Sequence, residues 1–259
     1  MDPYGTWTIS LDDKGNVVAT AEPGDSLNSL DKGLGIDGSK ESPDGVEAGS
    51  AVNITGKLPQ HVQDMLKEQG ASGPSGAYNC AAFALTVTDP KALDAAVAEA
   101  EKSLEAQKAN ILKQPNGQAI YDKLLADLKA RKLQVYCPNA TGAGPSVFIS
   151  RRKKADGSWE YFWVVNRTSK AIGAMFADLG LKPTDLASCK PGAVIVFPHP
   201  TLPEDDPRHM AHCGVVLYRG EGRVYTIAKR DPTGPLEVKT PDADTAGVSQ
   251  GKPPSVVQK

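Results

Sequence analysis

The sequence predicts an α+β fold, and three observations carry that prediction. Residues 89–132 repeat apolar side chains at helical spacing. The stretches "PGAVIVFPH", "HCGVVLYRG" and "GRVYTIAKR" read as three consecutive antiparallel strands. "TWTIS" and "VVATA", joined by the turn "DDKGN", read as a hairpin near the start of the chain.

After that hairpin, Pro23-Gly24 marks a turn, and Asp25 or Ser26 caps a short helix carrying Leu27 and Leu30. "EAGSAVNIT" closes the region as a strand with Val52 and Ile54 on one face. This strand, helix, loop and strand order over residues 16–56 resembles a LysM module, although Pro and Gly in "SKESPDGVE" weaken the second helix expected near residues 38–46. The resemblance implies binding to glycans rich in N-acetylglucosamine; a plain strand-helix-strand spacer is the alternative. The expected division is a LysM-like module over 1–58 and a second domain over 59–259.

The second domain opens with an amphipathic helix, "LPQHVQDMLKEQG", ending at Gly70. A loop of small residues then leads to "YNCAAFAL". From Asp89, with Pro90 at the first helical position, Leu93, Val97, Ala100, Leu104 and Ile111 recur at helical spacing. "KQPNGQ" breaks the run, and Ile120, Leu124, Leu125 and Leu128 resume it. This helical hairpin reads as a scaffold or docking surface inserted at about 89–132. "LQVYC", "SVFIS" and "WEYFWVV" read as strands, with Arg151-Arg152-Lys153-Lys154 in the turn before Trp159. "SKAIGAMFADLGL" reads as a helix, and the tail after Asp231 as polar and loosely structured.

Composition narrows the function. The chain has 259 residues, 40% hydrophobic and 23% charged, with a formal net charge of -2. That balance gives no clustered basic surface for nucleic acid. No run approaches the roughly 18 apolar residues of a membrane span. "MDPYGTWTIS" lacks the basic start and apolar core of a signal peptide. The expectation is a soluble protein made in the cytoplasm, and delivered by a specialised route if it acts elsewhere. The four cysteines, at 80, 137, 189 and 213, form no CxxC pair, and their disulfide pairing stays open. A metal reading draws on His209, His212 and Cys213 with His199 or Cys189. It is weakened because neighbours on a strand point apart, which sends Cys213 to the side opposite His212. No metal and no organic cofactor is expected. His199 and His209 belong to the loop "PHPTLPEDDPRHM", where Asp205 and Asp206 are read as solvated.

"YNCAAFAL", "KPGAVIVF" and "HCGVVLY" fall in the order of three landmarks of the NlpC/P60 type of papain-like cysteine hydrolases, which the chain resembles over residues 76–85 and 190–227. The resemblance implies a nucleophile helix packed on an antiparallel sheet, with the residues between the blocks as an insertion. Cys80 corresponds to the nucleophile and His212 to the base. A thiolate is the attacking species, and both a helix N-terminus and a nearby imidazolium favour it. The backbone N–H of Cys80 is a natural oxyanion donor, with Tyr78 as a candidate helper. The family places a polar residue, often His, on the following strand to orient the imidazole. The matching position is Thr226, with Asp231 as runner-up and a backbone carbonyl as a third choice.

Three functions remain in view. The first is an amidase or peptidase cutting peptide amides of bacterial peptidoglycan. Without a signal peptide it also resembles amidase effectors of type VI secretion and related polymorphic toxins, which implies delivery to the periplasm of a target cell, a secretion-apparatus component and an immunity partner. The second keeps Cys80 and His212 but makes the protein a deamidase, transglutaminase or acyltransferase acting on protein or lipid. The third is a non-enzymatic glycan-binding or docking module.

Overall fold

Strands β1 (Thr8–Leu11) and β2 (Val17–Thr20) form the expected hairpin, in a computed structural model that describes residues 5–36, 44–137, 146–167, 171–203 and 212–259. The Asp12 carboxylate closes the turn by accepting from the N–H groups of Lys14 and Asn16 at 2.9 and 2.8 Å. Helix α1 (Leu27–Gly33) is capped by Ser26, which exchanges hydrogen bonds with Ser29. Asp25 is instead buried and accepts from Thr6 N and Glu22 N, at 2.7 and 2.8 Å. Strand β3 (Ala51–Asn53) pairs antiparallel with β2. Most of the second helix expected near 38–46 lies outside the described residues.

Packing does not divide the chain at residue 58. Trp7, Leu30 and Ile54 share one buried cluster with Tyr218, Phe83 and Trp163. A Cβ added to Gly33 of α1 would lie 2.1 Å from the ring of Tyr218. Arg223 donates to Thr6 O and Thr8 Oγ1, at 2.7 and 3.0 Å. Detaching this region would expose several such side chains, each costing about 1.5–3 kcal/mol.

Helix α2 (Gln60–Ser72) runs past Gly70 and stops at Gly73, whose φ of 75° suits a residue without a Cβ. Helix α3 (Cys80–Thr88) is almost wholly buried. A 3₁₀ turn at Pro90–Leu93 precedes α4 (Asp94–Leu112) and α5 (Gly117–Lys129), the expected helical hairpin. Strands β4 (Leu133–Tyr136), β5 (Ser146–Lys153) and β6 (Trp159–Asn166) form a sheet ordered β4-β6-β5, with β4 parallel to β6. The hairpin helices cover one face of this sheet, where Trp163 Nε1 donates to Leu124 O at 3.1 Å. The basic run is not the turn: Arg151, Arg152 and Lys153 belong to β5, and the chain reverses over Lys154–Ser158. Asp156 stabilises that later turn by accepting from Ser158 N at 2.9 Å.

Helix α6 (Ile172–Asp178) leads to β7 (Lys182–Thr184), β8 (Val194–Phe197), β9 (His212–Gly220) and β10 (Arg223–Lys229). Strands β8, β9 and β10 pair antiparallel, as alternation predicts. The tail is ordered, contrary to expectation. It supplies β11 (Leu236–Lys239), α7 (Pro241–Gly247) and β12 (Ser255–Gln258), and β12 inserts between β8 and β7 in a sheet ordered β11-β10-β9-β8-β12-β7. Only Leu236, Val256 and Val257 are buried apolar anchors there, too few for a periodic signal. Helix α3 packs on β9 and β10 of this six-stranded sheet. No helix among the described residues is long and apolar enough to cross a membrane.

Candidate active site

Cys80 is the first residue of α3, and its position is fixed from the sheet β4-β6-β5. Asn79 caps the helix by accepting from Ala82 N at 3.1 Å. The same side chain donates to Val135 O at 2.8 Å and accepts from Val135 N at 3.0 Å, much as a neighbouring strand would. Gln134 Nε2 donates to Gly76 O at 2.6 Å and holds the approach to the helix. Gly76 leaves room for the Arg152 guanidinium: an added Cβ would fall 1.2 Å from Arg152 Nη2 and displace it. The N–H groups of Cys80 and Ala81 occupy first-turn positions that have no intrahelical acceptor.

Phe197 and His212 lie opposite each other across β8 and β9, and their rings stack at 5.7 Å. His212 is only 5% exposed, and neither ring nitrogen makes a hydrogen bond. His212 and Cys80 nevertheless act on each other's titration.

Alternation does send His212 and Cys213 to opposite faces, but Cys213 takes the face covered by α3, in the cluster with Val196, Val215 and Phe83. Cys213 and Cys80 also act on each other's titration. The Cys80 thiol is held well below the ordinary cysteine range. The hydrogen bond from Cys213 contributes most, and with His212 it outweighs burial, which acts the other way. Cys213 is raised in turn, because its proton is shared with Cys80 and because it is buried. Partial exposure, the helix N-terminus and His212 all place the negative charge on Cys80.

Burial pushes the His212 ring down, but contact with the Cys80 sulfur and its charge, together with the Asp244 carboxylate, raises it overall. Asp244 is only 4% exposed on α7, and burial raises its carboxyl against the pull of His212. Sequence reasoning missed it, because a single acid in a short polar helix gives no signal.

The two expected orienting residues are elsewhere. Thr226 is fully buried, but its hydroxyl donates to Lys239 O at 3.2 Å. It pairs with Val216, four residues along β9 from His212, which is about 13 Å of strand. Asp231 closes the β10–β11 turn by accepting from Thr233 N and Gly234 N, at 2.8 and 2.6 Å.

Tyr78 is also engaged away from the sulfur. It is 2% exposed, with the Lys229 amine 4.5 Å from its ring centre; its hydroxyl is raised by burial and by Glu68. Lys229 is itself fully buried, donates to Gly234 O at 2.7 Å, and is pushed down to about 8 by burial. The phenol that senses Cys80 is Tyr136 on β4, raised first by burial and then by the Cys80 charge. Its hydroxyl donates to Gln134 Oε1 at 2.7 Å.

All four cysteines are free thiols. Cys189 is buried and donates to Leu186 O at 3.3 Å, while His199 Nδ1 accepts from Leu202 N at 3.1 Å. His209, Asp205 and Asp206 lie outside the described residues. Among the described residues no three His, Cys, Asp or Glu side chains converge as a metal cluster would. No family model, curated protein or solved structure matches the chain.

Proposed function

We propose that the protein is a cysteine hydrolase of amide bonds, with Cys80 as nucleophile and His212 as base. One observation carries the reading: the first residue of a buried helix is a partly exposed cysteine held well below the ordinary thiol range, and a buried histidine with both nitrogens unbonded acts on its titration. In this reading His212 takes the thiol proton and Cys80 attacks the carbonyl carbon. The free N–H groups of the first turn of α3 face the developing oxyanion, with Tyr136 rather than Tyr78 as the neighbouring hydroxyl. His212 then protonates the leaving amine, and water resolves the thioester. Asp244 favours the imidazolium by charge.

The NlpC/P60-like order of "YNCAAFAL", "KPGAVIVF" and "HCGVVLY" leads us to propose the papain-like fold and a peptide amide of bacterial peptidoglycan as substrate. The same resemblance supports a role as an antibacterial effector, delivered to a target periplasm and restrained by an immunity partner. Digestion of purified peptidoglycan, followed by mass analysis, tests this reading. New amines and carboxyls on the peptide stems, lost in Cys80→Ala, support it. An intact polymer, with ammonia release or acyl transfer on a protein substrate, would move the protein to the deamidase or transferase reading.

A further inference from the structure

The chain that leads to Cys80 runs along a wall whose charges the proposed chemistry does not use. Asn79 bonds both backbone groups of Val135 on β4, so Cys80 and Tyr136 each follow directly on a clamped residue. Strand register extends the wall away from that clamp. Gln134 pairs with Val164, Phe162 and Glu160 follow along β6, and Arg152 on β5 pairs with Glu160. Alternation puts these five side chains on one face of the sheet. Arg152 reaches back along it. Its guanidinium carbon is 5.4 Å from the ring centre of Phe162, and Nη2 occupies the space where a Cβ on Gly76 would lie. Gly76 stands four residues before Cys80, at most about 14 Å along the chain.

Only part of this guanidinium is engaged. Nε and Nη2 both donate to one oxygen of Glu160, Oε2, at 2.8 and 2.6 Å. Nη1 has no partner among the described residues, and the side chain is 24% exposed. A second cation lies against the same approach: Lys229 Nζ is 4.5 Å from the ring centre of Tyr78, fully buried, and bonded to the carbonyl of Gly234. At about 8 its amine is mostly charged at neutral pH, with Asp231 acting on it from the β10–β11 turn. Lys132 and Glu68 pair with each other. Two cations and one carboxylate thus border residues 76–79 among the described residues. We propose that Arg152 selects the substrate of this site, its Nη1 binding a carboxylate carried within about 14 Å of the carbon that Cys80 attacks. Glu160 fixes the fork from behind and leaves that edge turned out. Lys229 is too buried to touch a ligand and contributes through its field. The substrate class is a peptide amide with a free carboxylate near the scissile bond. This carboxylate site rests on the Cys80 reading and names what the nucleophile acts on.

Two reagents of equal length, 6-maleimidohexanoic acid and its primary amide, test it on the full chain near neutral pH. Labelling at Cys80 is followed by mass spectrometry, and each rate is divided by that of iodoacetamide in the same protein, which corrects for any change in the thiolate. The acid should label Cys80 about 10-fold faster than the amide, the scale of a hydrogen bond to a charged group. In Arg152→Met combined with Glu160→Gln, which removes both charges together, that preference should disappear. Glu160→Gln alone should widen it, and Arg152→Lys should keep part of it. An Arg152 that merely ties β5 to β6 would give neither result. No acid preference in the wild type, or one unchanged in every variant, would overturn the carboxylate site, while fast labelling by iodoacetamide would leave the nucleophile standing. A Cys80 slow towards iodoacetamide but with an Arg152-dependent preference would keep the carboxylate site and remove the nucleophile. No labelling of Cys80 by any reagent would overturn both.

Discussion

Cys80 is approached from two sides that are finished differently. On the α3 side, Asn79 makes three hydrogen bonds, Gln134 holds Gly76, and Tyr136 holds Gln134. On the β9 side, His212 is equally buried, yet both ring nitrogens are unbonded and the Asp244 carboxylate acts on it through its field. A buried polar group without a partner is costly, of order 1–3 kcal/mol, and such groups cluster where a ligand or a reaction step completes them. In the proposed reading, the nucleophile is therefore pre-set by the fold, whereas the base is held by stacking on Phe197 and left to bond during turnover.

That contrast can be broken from each side. The largest effect is expected at the reacting pair. Cys80→Ala should abolish turnover and His212→Ala should lower it by about 10²- to 10⁴-fold, with thermal unfolding little changed in either. A collapse of stability in His212→Ala would mean that the ring is a packing element. Asn79→Ala should act differently, through the fold. It removes the cap and leaves both polar groups of Val135 unpaired, so urea denaturation should show a loss of about 2–4 kcal/mol. An unchanged midpoint would contradict the rigid side of the comparison.

A smaller effect is expected at Asp244. Its charge raises His212, so Asp244→Asn should lower the imidazole pKa and move the alkaline limb of the kcat/KM profile to lower pH. Turnover should fall by about 10-fold, or 1.4 kcal/mol of barrier. A profile that does not move would remove Asp244 from the site. The smallest effect belongs to Thr226→Ala and Asp231→Ala, where turnover should stay within about 3-fold of the parent, a barrier change below 1 kcal/mol. Thr226→Ala should still cost about 1 kcal/mol of stability for its bond to Lys239 O. A large loss of turnover in either would restore the orienting role that the sequence suggested.

The same division governs what was legible in the sequence. Local chemistry was readable: a helix starting at Cys80, Ser26 before Leu27, and period-two alternation through β8, β9 and β10. Contacts set by non-local packing were not. Asp244 reaches His212 from a seven-residue helix in a tail with almost no apolar repeat. Tyr136 arrives because β4 runs parallel to β6, a pairing that no turn signal announces. Alternation separated Cys213 from His212 correctly by face. It could not show that both residues act on the titration of Cys80.

The central claim is that His212 and the start of α3 keep Cys80 as a thiolate. Its most direct test is the pH dependence of iodoacetamide labelling at Cys80, measured by mass spectrometry in the wild type and in His212→Asn. The account predicts that wild-type Cys80 is labelled fast well below pH 9, the ordinary value for a thiol, and that the profile shifts to higher pH in His212→Asn. A Cys80 that titrates near pH 9 in both proteins would contradict it.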